Sequence, residues 1–208
     1  IWKTILKLSD KLKSTDRDKL SQLSGTIIEQ VETMTHMVDE FSGYTEKTNS
    51  SLEPVDLNIL LASTTRFFQE AERTIEIVLQ KPRKLPLIPG DINSLRRLFN
   101  NLLKNSIEAS DKILPNRIVI TAIHRKLDQG DTVEISILDQ GPGVPKSLLS
   151  SVFEPYVTSK ARGRGLGLAI VKKIIEEHNG TIKLENFEDN GALVTVHLPV
   201  IRSNKKSA

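Results

Sequence analysis

From Leu20 onward the apolar residues Leu20, Leu23, Ile27, Val31, Met34, Val38 and Phe41 return every three or four positions, the spacing that keeps side chains on one face of an α-helix. The stripe is nearly heptad, with Glu29, Gln30, Glu32, Asp39 and Glu40 on the other faces, so such a helix hides its stripe against a partner helix. Trp2, Ile5, Leu8 and Leu12 repeat the pattern upstream, and Ser14-Thr15-Asp16-Arg17-Asp18 supplies a polar turn with capping residues. An antiparallel helical hairpin is predicted over residues 1–48. Two helices make a thin core, so the hairpin is expected to complete a four-helix bundle with a second copy of the chain. Packing of the stripe on the rest of its own chain is the other solution.

Residues 45–53 are polar and aperiodic and Pro54 follows them, which marks a linker, taken as 49–53. A second domain is expected over 54–202, with a basic, disordered tail at 203–208. Its pattern alternates between helical and strand periods. Helices are predicted at Leu57–Ala71, Ile92–Ile113 and Leu166–Glu177, and strands at Glu76–Leu79, Arg117–Arg125, Thr132–Leu138, Thr181–Asn186 and Ala192–Leu198. This mixed order predicts an α+β chain, a helical hairpin followed by a two-layer α/β sandwich with a mixed, largely antiparallel sheet.

Composition changes little. Hydrophobic residues at 38% and charged residues at 26% are ordinary for a globular chain, and no apolar run reaches the ~18–20 residues that cross a bilayer. The net charge of +3 is accounted for by Arg202, Lys205 and Lys206 near the C-terminus, so a nucleic-acid partner is not expected. The absence of cysteine excludes disulfides and thiolate metal sites, and no signal-peptide pattern opens the chain. A cytoplasmic location is the expectation.

Three stretches carry candidate chemistry. Asn101 and Asn105 lie four apart on one helix face; carboxamide oxygens suit a hard cation beside phosphates without adding charge, although such pairs also occur as solvated or capping residues. The strand Val133–Leu138 ends in Asp139-Gln140-Gly141-Pro142-Gly143, where an acid enters a cleft and glycines let backbone approach a flat ligand, or simply turn the chain. Gly163-Arg164-Gly165-Leu166-Gly167-Leu168 precedes a helical run. Free N–H groups at a helix start cradle phosphate. No Walker lysine closes the loop.

Taken in order, these stretches resemble the boxes of the histidine-kinase ATP-binding domain: Asn101–Ala109 the N box, Asp139–Gly143 the G1 box, Phe153-Glu154-Pro155-Tyr156 the F box and Gly163–Gly167 the G2 box. The match covers roughly Leu52 to Arg202 and is similar to the wider gyrase, HSP90 and MutL-type ATPases with their Bergerat-type fold. Met37–Ser42 and Leu52–Leu57 further resemble the second dimerisation helix and the approach to the ATP-binding domain in nitrogen-regulation sensor kinases.

The resemblance implies ATP and Mg²⁺ as cofactors. Asn105 would bind the metal, Asp139 the adenine, and Gly141 and Gly143 would shape the pocket, with Asn101 and Lys104 near the phosphates. Gly163, Gly165 and Gly167 would hinge a mobile lid, flanked by Leu166 and Leu168, while Lys160, Arg162 and Arg164 neutralise phosphate charge. Thr195 would support Asp139 through water. Hydrolysing relatives carry a glutamate general base where this chain has Asn101, which implies ATP held for transfer to another nucleophile; Glu108, three residues after Asn105, is the alternative base, but it matches a surface position of the family.

The family's phosphoacceptor histidine belongs to a box on the first dimerisation helix that these residues do not contain, and His36, His124, His178 and His197 read as structural. The expectation is a chain that binds ATP without phosphorylating itself. It would dimerise through the hairpin, pass phosphate onward to a response-regulator receiver domain, and belong to a membrane-anchored sensor. A self-contained ATPase or nucleotide-gated dimer switch is the rival, as is a scaffold that no longer needs nucleotide.

Overall fold

The computed structural model describes residues 23–25, 27, 52–72, 74–110, 116–126, 130–160, 163–187 and 191–201. The chain divides into two compact units, Ile1–Glu46 and Lys47–Ala208. In the first, residues 23–25 and 27 are helical, with Leu23 and Ile27 exposed at 64% and 62%. The rest of the predicted hairpin, His36 included, lies outside the described residues.

The second unit runs β1 (Glu53–Val55), α1 (Leu57–Ala71), β2 (Ile75–Gln80), β3 (Ile88–Gly90), α2 (Ile92–Ser110), β4 (Asn116–Arg125), β5 (Thr132–Leu138), α3 (Gly167–Glu177), β6 (Thr181–Asn186) and β7 (Ala192–Pro199). Five strands form one sheet in the order β2-β4-β5-β7-β6. The β2–β4 pair is parallel, joined through α2, and the other three pairs are antiparallel. This is the mixed, largely antiparallel sheet that the alternating pattern predicts.

Period-two burial decides which face is covered. Val133, Ile135 and Ile137 of β5 and Val194, Val196 and Leu198 of β7 are buried, while Thr132, Glu134, Ser136, Thr195 and His197 alternate onto the other face. Leu57, Leu60 and Leu61 of α1, Leu95, Leu98, Phe99, Leu102 and Leu103 of α2, and Ile170, Val171, Ile174 and Ile175 of α3 complete one core against that face. The result is two layers.

Helix ends are fixed by side chains. Asp56 Oδ1 accepts from Asn58 N at 2.8 Å at the start of α1, and Asp91 Oδ1 accepts from Ser94 N at 2.7 Å at the start of α2. At the end of α3, Asn179 takes φ 54°, its N–H reaches Glu176 O at 3.0 Å, and Gly180 N reaches Ile175 O at 2.9 Å, a Schellman termination. His178 is buried there. Its Nδ1 meets Ile174 O at 2.7 Å and its Nε2 accepts from Asp91 N at 3.0 Å, pinning the end of α3 to the start of α2. On the edge strand β2, the Gln69 amide occupies Ile75 O and Ile77 N at 2.9 and 2.7 Å, which covers part of an otherwise open edge.

Two elements are absent from the sequence-based prediction. β1 and β3 pair antiparallel, Pro54 opposite Pro89, in three-residue strands too short and too proline-rich to show a period.

Candidate functional site

Three segments meet at one end of α2. Asn101 and Asn105 are half-buried on it, and Asn101 Nδ2 donates back to Arg97 O at 3.0 Å. A Cβ on Gly167, the first residue of α3, would lie 3.4 Å from Asn101 Oδ1 and 3.8 Å from Asn105 Nδ2. The start of α3 therefore faces the paired amides. Leu166 at the N-cap position makes no side-chain cap bond, so the first N–H groups of α3 keep the partial positive charge that attracts anions. Leu166 and Leu168 pack on the core, which holds this helix start in place.

Asp139, 5% exposed, leaves the end of β5 and points at the helical layer. Its Oδ1 accepts from Gly141 N at 2.9 Å and from Ala192 N at 3.0 Å. Burial pushes its carboxyl above the ordinary aspartate value, opposed by those two N–H groups, by the Ser106 hydroxyl and by the charge of Lys160. A Cβ on Gly141 would stand 2.9 Å from Ala109 Cβ, so the glycine lets the loop lie against α2. Gly143 has φ +74° and Asn186 fills the space beside it. Asn186 holds the loop with two bonds, accepting from Val144 N at 2.7 Å and donating to Val144 O at 2.8 Å.

The segment after the Phe153–Tyr156 box folds back on itself. Tyr156 N donates to Gly165 O at 3.0 Å, and Gly165, at φ +69°, would place a Cβ 2.5 Å from the Tyr156 carbonyl carbon. Gly163 N donates to Lys160 O at 3.0 Å, and the Lys160 side chain reaches α2. There Lys160 Nζ contacts the Glu108 carboxylate and lies 3.5 Å from Asn105 Oδ1. Arg164 is half-buried in the glycine run and Lys104 is exposed on α2, whereas Arg162 lies outside the described residues.

One expected support does not hold. Thr195 pairs with Ser136 on the sheet face away from the helices, whereas Asp139 reaches Ser106 of α2. Strand alternation puts the two on opposite faces, and it is the backbone N–H of Ala192, not Thr195, that β7 gives to Asp139. Ser106 and Asn186 escaped the sequence analysis. Ser106 had a signal, a hydroxyl between the apolar positions Leu102, Leu103 and Ile107 of α2; Asn186 had only its place at a strand end.

The donor set also fits a divalent metal. Asn105 Oδ1 and the Glu108 carboxylate already converge on one cation, the Lys160 ammonium, and hard cations take oxygen ligands. Among the described residues no three His, Cys, Asp or Glu side chains cluster to hold a metal unaided. A metal here would complete its shell with phosphate oxygens and water.

The sequence pattern of the histidine kinase-, DNA gyrase B-, and HSP90-like ATPase matches residues 90–202, which contain every box described above. The chain belongs to this family. Sensor histidine kinase ZraS of Escherichia coli is 34% identical over 86% of this chain and 38% of its own length. Nitrogen regulation protein NtrY of Azorhizobium caulinodans is 32% identical over 88% of this chain and 24% of its own length. The chain thus spans well under half of these relatives. The solved structure of histidine kinase ThkA in complex with response regulator protein TrrA superposes with a TM-score of 0.72 at 25% identity, over 95% of this chain and 56% of that one.

Proposed function

We propose that this chain is the ATP-binding and dimerisation portion of a two-component sensor histidine kinase, holding Mg-ATP so that its γ-phosphoryl group passes to a histidine and then to a response-regulator aspartate. The observation that carries this reading is that the Asp139 carboxylate, the paired amides and the uncapped start of α3 all meet along α2 in a histidine-kinase-family domain. Asp139 accepts the hydrogen of the exocyclic adenine amine. The N–H groups that open α3 would meet the phosphates, and Asn105 would offer Oδ1 to a divalent metal, whose charge would offset that of the phosphates. Catalysis is then mostly positioning and electrostatic complementarity.

Kinase rather than ATPase chemistry is favoured by Asn101. Its amide is spent on Arg97 O and takes up no proton, so water near the phosphates has no general base at that position. Glu108, the other candidate, is occupied by Lys160. The chain's own described histidines are poor acceptors: His178 is buried between Asp91 and Ile174, while His124 and His197 face Asp131 and Glu134. Exposure of Leu23 and Ile27 on one helical face supports homodimerisation through the hairpin. The ThkA complex supports a response-regulator partner. The relatives' description as sensors supports a cytoplasmic portion of a membrane-anchored parent; among the described residues no helix is long and apolar enough to cross a membrane.

Calorimetric titration of ATP with and without Mg²⁺, on this chain and on Asn105→Ala, tests the reading. Binding should tighten with Mg²⁺ in the unaltered chain by about tenfold or more, ~1.4 kcal/mol, and this gain should vanish in Asn105→Ala. Steady phosphate release from ATP would overturn the kinase assignment in favour of an ATPase or a nucleotide-gated switch. No ATP binding would leave the scaffold reading.

A further inference from the structure

Lys160 is held by its backbone. Its own N–H donates to Thr158 Oγ1 at 3.1 Å, its carbonyl accepts from Gly163 N at 3.0 Å, and a Cβ on Gly163 would fall 2.9 Å from Lys160 Cβ. Its side chain reaches α2, where its ammonium lies against the Glu108 carboxylate and 3.5 Å from Asn105 Oδ1. Asn105 and Glu108 are three apart on one helix face. They form a seat of two oxygens with one cation in it. We propose that Lys160 and the divalent metal are alternative occupants of this seat, so that metal arrival displaces Lys160 from Glu108. The argument is electrostatic: a monovalent and a divalent cation on the same oxygen repel at short range in a partly shielded cleft. Both side chains of the pair keep roughly two fifths of their exposure, 39% and 42%, so the exchange needs no unfolding.

Glu108 thereby becomes a metal-selecting residue, and Lys160 a built-in counterion that keeps the seat neutral before the metal enters. The inference rests on the nucleotide reading only for the identity of the displacing ion. Its test uses Mn²⁺ as the probe, added to the full chain without nucleotide, with free Mn²⁺ followed by electron paramagnetic resonance. Lys160→Met should raise Mn²⁺ affinity about fivefold or more, and adding Glu108→Gln should cancel the gain, because an uncharged amide holds a divalent ion far less tightly. Lys126→Met removes the same charge from an exposed position just after β4, at the other end of the sheet, and should change affinity by less than about twofold, since distant exposed charge is screened. Equal Mn²⁺ affinity in the unaltered chain and Lys160→Met, or an equal gain in Lys126→Met, overturns the shared seat. ATP calorimetry on the same proteins keeps the two readings apart. ATP binding without the Mn²⁺ gain ends the exchange alone, and the Mn²⁺ gain without ATP binding ends the nucleotide reading and keeps the seat.

Discussion

Asp139 carries opposed demands of folding and binding. Burial disfavours its charge and raises its pKa, yet that charge is what an adenine amine meets. A carboxyl with a raised folded pKa adds stability that is complete below its unfolded value, about 3.9, and lost as pH rises through its folded value. Asp139→Asn, uncharged at every pH, should therefore melt higher than the unaltered chain at pH 7, with the difference closing as the pH falls through the carboxylate range. The same substitution should weaken ATP by roughly 1–3 kcal/mol, about 5- to 150-fold, because the N–H groups of Gly141 and Ala192 hold the amide oxygen and turn its NH2 toward the adenine amine. Thermal melts from pH 4 to pH 7 and calorimetry check the two halves; a variant that binds ATP unchanged ends the adenine role. The sequence exposed Asp139 through the glycines beside it. It hid Ser106 and Asn186, whose partners lie across the fold at Asp139 and Val144.

Elements position the site through two joints. At the first, His178 ties the end of α3 to the start of α2 through Ile174 O and Asp91 N. His178→Leu keeps the bulk but takes the acceptor from Asp91 N, while Ile174 O keeps the backbone N–H of residue 178, so urea unfolding should show a loss of about 1–3 kcal/mol. At the second, Gly165 folds the segment before α3 against Tyr156. With φ +69° and backbone atoms 2.5–2.6 Å from any Cβ, Gly165→Ala should cost roughly 1–2 kcal/mol of local strain. Since that strain falls on the loop rather than the core, ATP affinity should drop by about tenfold while sheet circular dichroism stays unchanged. A normal affinity would mean that the loop does not shape the pocket. The long helices and strands of the main sheet were legible because each has a hydrophobic period. β1 and β3 were not, since their pairing was decided by what lies opposite them.

At the scale of the whole molecule, the described site residues all belong to the Lys47–Ala208 unit, so nucleotide should stabilise that unit against unfolding. ATP at 100 times its Kd contributes about 2.7 kcal/mol, which for a unit of this size is a rise in melting temperature of roughly 5–11 °C. Asp139→Asn at the same ATP concentration should lose about a third to nine tenths of that rise in a thermal scan. The sequence by itself determined the family, the main-sheet strands and the helices, because residue spacing and local backbone preference are properties of neighbours along the chain. It also determined which boxes exist. The tertiary structure alone decided which groups converge: that Ala192 N–H and Ser106 support Asp139 while Thr195 faces the other way, that the start of α3 opposes the amides of α2, and that Lys160 rests on Glu108. Those relations join segments tens of residues apart, and no local period encodes which face of one meets which face of another.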